Sequence, residues 1–320
     1  MEKLLSIENL NVDFAMRTGT LRAVNNVSLT VDKGERLGLV GESGAGKSVL
    51  GFSIINLISK PGYIASGRVS FQGDDISKYS DEQMRNVRGN RISMIFQDPM
   101  MTLNPVLTIG VQMQETLHAH AGMSGSAATE ICLEKLQKVY ISSPLKRLNQ
   151  YPHEFSGGMR QRIVIAISLL TNPGLIIADE PTTALDVTIQ AEIMDLLLEL
   201  CKTERMGLLL ITHDLAVVSQ VTQRIAVMYA GTIVELGPTE EIIHTPQHPY
   251  TKGLLGALPQ KAGGSRRLNQ IPGVMPGLAK IPPGCPFSNR CSMVQDICRS
   301  TRPTLDTKAS GNQVACHMVD

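Results

Sequence analysis

The chain has 320 residues, 42% of them apolar, enough for a sizeable core in one large domain with an appendage, or in two domains. Its 30 basic and 29 acidic residues are intermixed and leave a net charge of +1, which argues against a general nucleic-acid-binding surface. No apolar run reaches the ~18 residues of a membrane helix, and no basic-then-apolar leader opens the chain, so the expectation is a soluble cytoplasmic protein that other subunits hold at any membrane where it acts.

Residues 4–14 and 23–31 alternate as strands should, and the turn at 32–35 leads into Arg36-Leu37-Gly38-Leu39-Val40, a short buried strand. Phe14 is a candidate to stack on a nucleobase, with an ordinary core phenylalanine as the competing reading. Next comes Gly41-Glu42-Ser43-Gly44-Ala45-Gly46-Lys47-Ser48, which fits the phosphate-loop pattern G-x-x-x-x-G-K-[ST] at every specified position. Its glycines let successive N–H groups point into one anion-sized hollow, and the helix expected over 49–58 adds the positive end of its dipole. Lys47 brings a full charge to the β- and γ-phosphates, and the Ser48 hydroxyl can ligate magnesium. The pattern predicts a nucleoside triphosphate site.

A strand over 67–73, a helix opening at Ser80 and a strand over 92–96 follow, the last ending at Gln97-Asp98-Pro99. Gln97 there is well placed to reach a magnesium-bound phosphate, although a lone loop glutamine is usually no more than that. Residues 106–150 read as helical, with a break at 122–128. Ser156-Gly157-Gly158 then opens another helix, Ser156 as the N-cap and the glycines leaving its first turn uncovered, a second anion-binding helix end. The apolar strand Leu175-Ile176-Ile177-Ala178 ends in two acids: Asp179 suits magnesium, and Glu180 suits a general base for the attacking water. After Ala184-Leu185-Asp186 come an amphipathic helix over 189–201, a strand over 208–212 ending at His213-Asp214, and a hairpin strand over 231–237. By itself His213 reads as a surface loop histidine.

Six cysteines are present. Cys132 and Cys201 fall in helical segments and read as buried small hydrophobes. Cys285, Cys291, Cys298 and Cys316 fall together in a Pro- and Gly-rich tail with little helical or strand period. In a cytosolic protein such a group suggests a metal before disulfides, and four thiolates suit zinc or an iron–sulfur cluster. The short C-x2-C knuckles usual for zinc are absent, and His317 beside Cys316 reads as a bystander.

Taken together, GESGAGKS, FQDP, FSGGMRQR, LIIADEP, ALD and THD occur in the order found in the ATP-binding cassette ATPases, and the chain resembles that family over residues 4–245. The resemblance implies an α/β fold: a P-loop ATPase core with an antiparallel β subdomain and a helical signature subdomain, over residues 1–245. Residues 246–320 would form a small Cys-rich C-terminal extension. It also implies a head-to-tail pair of ATPase subunits, in which Ser156, Gly157 and Gly158 grip the γ-phosphate of the ATP held by the other subunit's loop. Glu180 would be the catalytic base, His213 would hold the γ-phosphate and the water, Asp186 would lie at the subunit contact, and Gln97 would sense magnesium and face membrane subunits. Phe14 matches the family's adenine-stacking aromatic loosely.

Pro246-Gln247-His248-Pro249-Tyr250-Thr251, Pro283-Gly284-Cys285-Pro286-Phe287 with Arg290-Cys291, and FQDPMMTLNP are similar to the importer branch for di- and oligopeptides and nickel. That resemblance implies ATP and Mg2+ as cofactors and favours a [4Fe–4S] cluster at the four cysteines, with Zn2+ or unliganded thiols as the alternatives. It implies a peripheral protein on the cytoplasmic side of the cell membrane. Its partners would be a second ATPase subunit (a paralogue), two integral-membrane permease subunits and, indirectly, an extracytoplasmic solute-binding protein; nucleic acid is not among them. A soluble cassette ATPase acting on nucleic acid or ribosomes is disfavoured by the single cassette and the neutral charge balance. A small-molecule kinase has no use for the SGGMRQR helix, and a non-enzymatic nucleotide-binding module has no use for Glu180 and His213.

Overall fold

A computed structural model describes residues 2–183, 185–257 and 271–319; Ala184 of the Ala184-Leu185-Asp186 loop and part of the expected extension lie outside the described residues. The strands are β1 (Lys3–Met16), β2 (Gly19–Asp32), β3 (Arg36–Val40), β4 (Gly62–Phe71), β5 (Asp74–Asp75), β6 (Ile92–Ile95), β7 (Leu175–Asp179), β8 (Gly207–Thr212), β9 (Arg224–Tyr229), β10 (Thr232–Pro238), β11 (Asp306–Thr307) and β12 (Gln313–Val314). The helices are α1 (Lys47–Ile54), α2 (Asp81–Arg85), α3 (Pro99–Thr102), α4 (Ile109–Ala121), α5 (Gly125–Lys138), α6 (Pro144–Arg147), α7 (Gly157–Ser168), α8 (Val187–Glu204), α9 (Leu215–Val221), α10 (Thr239–His244), α11 (Pro249–Gly256) and α12 (Asp296–Ser300). Among the described residues no helix is long and apolar enough to cross a membrane.

The chain divides into two compact units, one of Met1–Leu4, Asp32–Glu35 and Lys78–Leu209, the other of Leu5–Val31, Arg36–Ser77 and Leu210–Asp320. In the first unit β6 and β7 run parallel, from Ile92 opposite Leu175 to Ile95 opposite Ala178. All of β7 is buried, as a continuous apolar run in a parallel sheet should be. The break expected at 122–128 is narrower. Gly122 ends α4 in the left-handed conformation (φ 64°), its N–H returning to the His118 carbonyl, and α5 already begins at Gly125. Cys132 and Cys201 are buried in α5 and α8 as expected, and burial pushes the Cys132 thiol up to about 11.

The second unit holds an antiparallel sheet in the order β2-β1-β4-β5. It also holds a parallel pair, β3 with β9, continued by the β9–β10 hairpin. Ala230 (φ 45°) and Gly231 (φ 83°) take the left-handed conformations that a tight hairpin turn requires. Helix α1 stops at Ile54 rather than at 58, because Asn56 turns left-handed (φ 49°) and Leu57 N–H closes on the Phe52 carbonyl.

The tail departs from its sequence reading: it carries regular structure. β12 pairs with β10, Val314 opposite Glu235, and β11 pairs with β12. β10 offers a free edge, and an unpaired edge captures any strand that can reach it, even one too short to show a period. His248 caps α11, its Nδ1 accepting the Tyr250 N–H at 3.0 Å, while its own N–H donates to the Glu235 carboxylate at 3.1 Å. Burial pushes His248 down from 6.5 to about 3 and pushes the Glu235 carboxyl up.

A histidine held neutral in the fold costs stability wherever the unfolded chain would protonate it, between about 6.5 and about 3, so its contribution is lost as pH falls through that window. Glu235, raised by burial, contributes with the opposite sign, which makes a difference measurement necessary. In His248→Asn, which keeps an N-cap oxygen, the urea midpoint should fall less than that of the wild type between pH ~7 and ~4. Parallel profiles for the two proteins would remove this account of His248.

Candidate active site

In the second unit the sequence between β3 and α1 forms a tight loop whose glycines are demanded by crowding as much as by conformation. A Cβ on Gly41 would strike the Met228 carbonyl, and one on Gly46 (φ 102°) would lie 2.7 Å from the Ala23 carbonyl. A Cβ on Gly44 would lie 3.1 Å from the Met275 side chain. Ala45 is buried and its carbonyl accepts the Gly231 N–H at 2.8 Å; Ser43 is exposed. Lys47 is buried, with Nζ donating to the Gly41 carbonyl at 2.8 Å and the Glu42 carbonyl at 3.1 Å. Ser48 is half-buried in the first turn of α1.

Glu42 is held on both its backbone and its side chain. Its N–H donates to the Tyr250 hydroxyl at 2.9 Å, and its carboxylate accepts Arg290 Nη1 at 2.7 Å and Nη2 at 3.1 Å. This two-bond pairing pushes the Arg290 guanidinium pKa up, and burial pushes the Tyr250 hydroxyl up. Sequence reasoning missed both partners as parts of the loop. They lie 208 and 248 residues away from Glu42, and no local spacing links them to it.

Elsewhere in this unit His213 stands exposed past the end of β8, just before Asp214, whose carboxylate caps α9 by accepting the Ala216 and Val217 N–H groups. Phe14 is neither core nor free. It is half-buried and pairs across β1–β4 with Gly62, where a Cβ would lie 2.8 Å from its ring.

In the first unit Asp179 is buried at the tip of β7, and Glu180 follows in the left-handed conformation (φ 46°). One Glu180 carboxylate oxygen accepts Gln97 Nε2 at 3.3 Å and Thr183 Oγ1 at 2.9 Å, so the structure brings Gln97 and Glu180 together. Strained backbone at a carboxylate on a strand tip is a recurrent functional sign. Ser156 caps α7, its hydroxyl accepting the Met159 N–H at 3.4 Å.

At the start of α7 Gly157 is exposed and Gly158 half-buried. A Cβ on Gly158 would lie 2.7 Å from Ile189, so packing there also favours glycine, while one on Gly157 would lie 3.3 Å from the end of the Leu185 side chain. Asp186 is exposed and caps α8, accepting the Ile189 N–H at 3.0 Å.

The four tail cysteines share one small lobe of the second unit. Cys285 N–H donates to the Cys298 carbonyl at 2.8 Å, and the thiols of Cys291, Cys298 and Cys316 act electrostatically on Cys285, which burial first of all pushes up to about 11. The sulfurs of Cys285, Cys291 and Cys316 each accept the N–H two residues on, from Phe287, Met293 and Met318. Among the described residues, however, no group of three or more His, Cys, Asp or Glu side chains stands as a metal site, so the expected four-cysteine cluster is unsupported by this geometry. All six cysteines are free thiols.

The ABC transporter family matches residues 24–183, and the oligopeptide/dipeptide transporter C-terminal region matches residues 234–298. The dipeptide transport ATP-binding protein DppD of Bacillus subtilis is 49% identical, covering 100% of this chain and 96% of its own. The oligopeptide transport ATP-binding protein OppD of the same organism is 49% identical, over 92% of this chain and 83% of its own. Among solved structures, a dimeric ATP-binding cassette bound to ADP and Pi in a post-hydrolysis state superposes with a TM-score of 0.66 at 28% identity, over 74% of this chain and 99% of its own. The cbiO1 component of the Clostridium perfringens cbiONQ transporter gives 0.66 at 25% identity, over 77% of this chain and 92% of its own.

Gly46→Ala should lose at least about 1 kcal/mol of stability and most nucleotide binding, since the new methyl meets the Ala23 carbonyl at a positive φ. Chemical denaturation and titration with a fluorescent ATP analogue would show it; wild-type behaviour in both would refute the crowding argument.

Proposed function

Because the chain belongs to the ABC transporter ATPases and carries the oligopeptide/dipeptide transporter C-terminal region, we propose that it hydrolyses ATP to power uptake of di- or oligopeptides through partner permease subunits. The observation that carries the ATPase reading is the strand–loop–helix from β3 to α1, with Lys47 at the helix start and every demanding position a glycine. The peptide class is supported by the names of the relatives, which match over nearly the whole chain.

In this reading the loop amides from Gly41 to Ser48, Ser43 and Ala45 included, cradle the phosphates, and Lys47 swings its ammonium from the loop carbonyls to the β- and γ-phosphates. Magnesium, when bound, neutralises charge developing on the transferred phosphoryl group; Ser48, Asp179 and Gln97 are its proposed holders, oxygen donors of the type that hard cation prefers. Glu180 takes the proton of the attacking water, and its bond from Gln97 orients the carboxylate that must do so. His213 steadies the γ-phosphate and Phe14 stacks on the adenine. Ser156, Gly157 and Gly158 at the start of α7 serve the ATP of a second ATPase subunit, with Asp186 near that contact. A dimeric relative among the solved cassettes supports such pairing. Two permease subunits and an extracytoplasmic binding protein complete the system, with this chain peripheral on the cytoplasmic face of the membrane.

The four cysteines, in the C-terminal extension proposed for residues 246–320, are assigned a [4Fe–4S] cluster, with zinc as the alternative. What supports this is the donor chemistry: four thiols in one lobe, three of them already accepting backbone N–H groups that would stabilise thiolates. The group would clip a lobe with little core of its own.

Glu180→Gln should keep ATP binding and lower turnover at least about 100-fold, because the base is lost while the phosphate loop is untouched. Wild-type turnover in that variant, measured by phosphate release, would remove Glu180 from the role of base. Anaerobic purification with iron, sulfide and zinc analysis should find iron and sulfide together. A chain free of all three would leave the cysteines as plain thiols.

A further inference from the structure

We infer that Arg290 and Tyr250 are positioning residues that hold the phosphate loop by Glu42 and so set its grip on nucleotide; this deepens the ATPase reading and rests on it. The loop pattern leaves the second position open to any residue. Here that residue is tied on every polar atom: its carboxylate to the Arg290 fork, its N–H to the Tyr250 hydroxyl, and its carbonyl to Lys47 Nζ at 3.1 Å and Ala45 N–H at 3.2 Å. The last pair matters most, since the carbonyl that the anchor fixes is one of the two that hold the phosphate-binding ammonium.

The anchor itself is rigid. The Arg290 side chain is only 5% exposed, and its Nε donates to the Pro272 carbonyl at 3.0 Å while its guanidinium lies over the Tyr229 ring. Tyr250 is fully buried against Tyr229 and Phe287, with ring centroids 4.6 and 5.4 Å away. A buried guanidinium needs a carboxylate opposite it, so Glu42 cannot leave this position without a penalty, and the loop is held in one shape before nucleotide arrives.

The test uses the full chain with its partner subunits, reading ATPase kinetics, fluorescent ATP-analogue binding and thermal unfolding. Arg290→Gln should raise the nucleotide Kd and the KM for ATP about tenfold with kcat within about twofold, since a charged two-bond pair is lost and Glu180 is not touched. Arg290→Lys, which restores the charge without the fork, should fall between the two. Tyr250→Phe, which removes one hydroxyl, should raise KM about threefold. In a Glu42→Gln background, Arg290→Gln should add little, because both act through one pair.

An unchanged KM in Arg290→Gln would overturn the inference, as would a fall in kcat and unfolding temperature at constant KM, the mark of a purely structural role. Equal effects of Arg290→Gln in the presence and absence of Glu42 would do the same. A wild-type chain that bound no ATP at all would instead sink the ATPase reading on which the inference stands.

Discussion

Crowding around the phosphate loop is the constraint from which the local architecture follows. The carbonyls of Met228 and Ala23 occupy the space where Gly41 and Gly46 would carry a Cβ, so the loop is pressed against β9 and the start of β2's core stretch. Only a backbone without side chains passes there. The Gly231 N–H donating to the Ala45 carbonyl ties the same loop to the β9–β10 turn. In the proposed ATPase reading a loop held this way meets the phosphates with its backbone already placed, and the Lys47 ammonium is what has to move.

The tail shares in that architecture. His248 and Glu235, both buried, join α11 to β10, and β12 pairs with the edge of β10, which the hairpin joins to β9, the strand whose Met228 carbonyl presses on the phosphate loop. Burying a neutral histidine beside a carboxyl is costly unless each polar atom is bonded, and here the Nδ1 and N–H of His248 and both Glu235 oxygens have partners. The aromatic group of Tyr229, Tyr250 and Phe287 fills the remaining space. Arg290, which immediately precedes Cys291 in the chain, ties the segment that carries the thiols to the loop through Glu42.

In the first unit the same economy of backbone appears at Glu180. Its left-handed φ of 46° costs energy for a non-glycine residue, and the bonds from Thr183 and Gln97 hold the carboxylate in the orientation that this backbone produces. Gly157 and Gly158, read first as bare phosphate-facing positions, are also the places where α7 meets Leu185 and Ile189. The close approach of Ile189 to Gly158 was invisible in a linear motif.

What the sequence by itself determined is whatever depends on neighbours along the chain. The phosphate loop between a five-residue strand and a helix, the acids at the end of β7, the caps at Ser80 and Ser156 and the buried cysteines of α5 and α8 were all legible, because strand period, helix caps and loop glycines act within a few residues. Tertiary structure decided the rest: the strands of the tail on β10, the left-handed stop at Asn56, the packing role of Gly158 and the hold of Arg290 and Tyr250 on Glu42. Pairing across some 200 residues leaves no periodic trace, since an edge strand needs only a free edge and an ion pair needs only two residues delivered to one place by the fold.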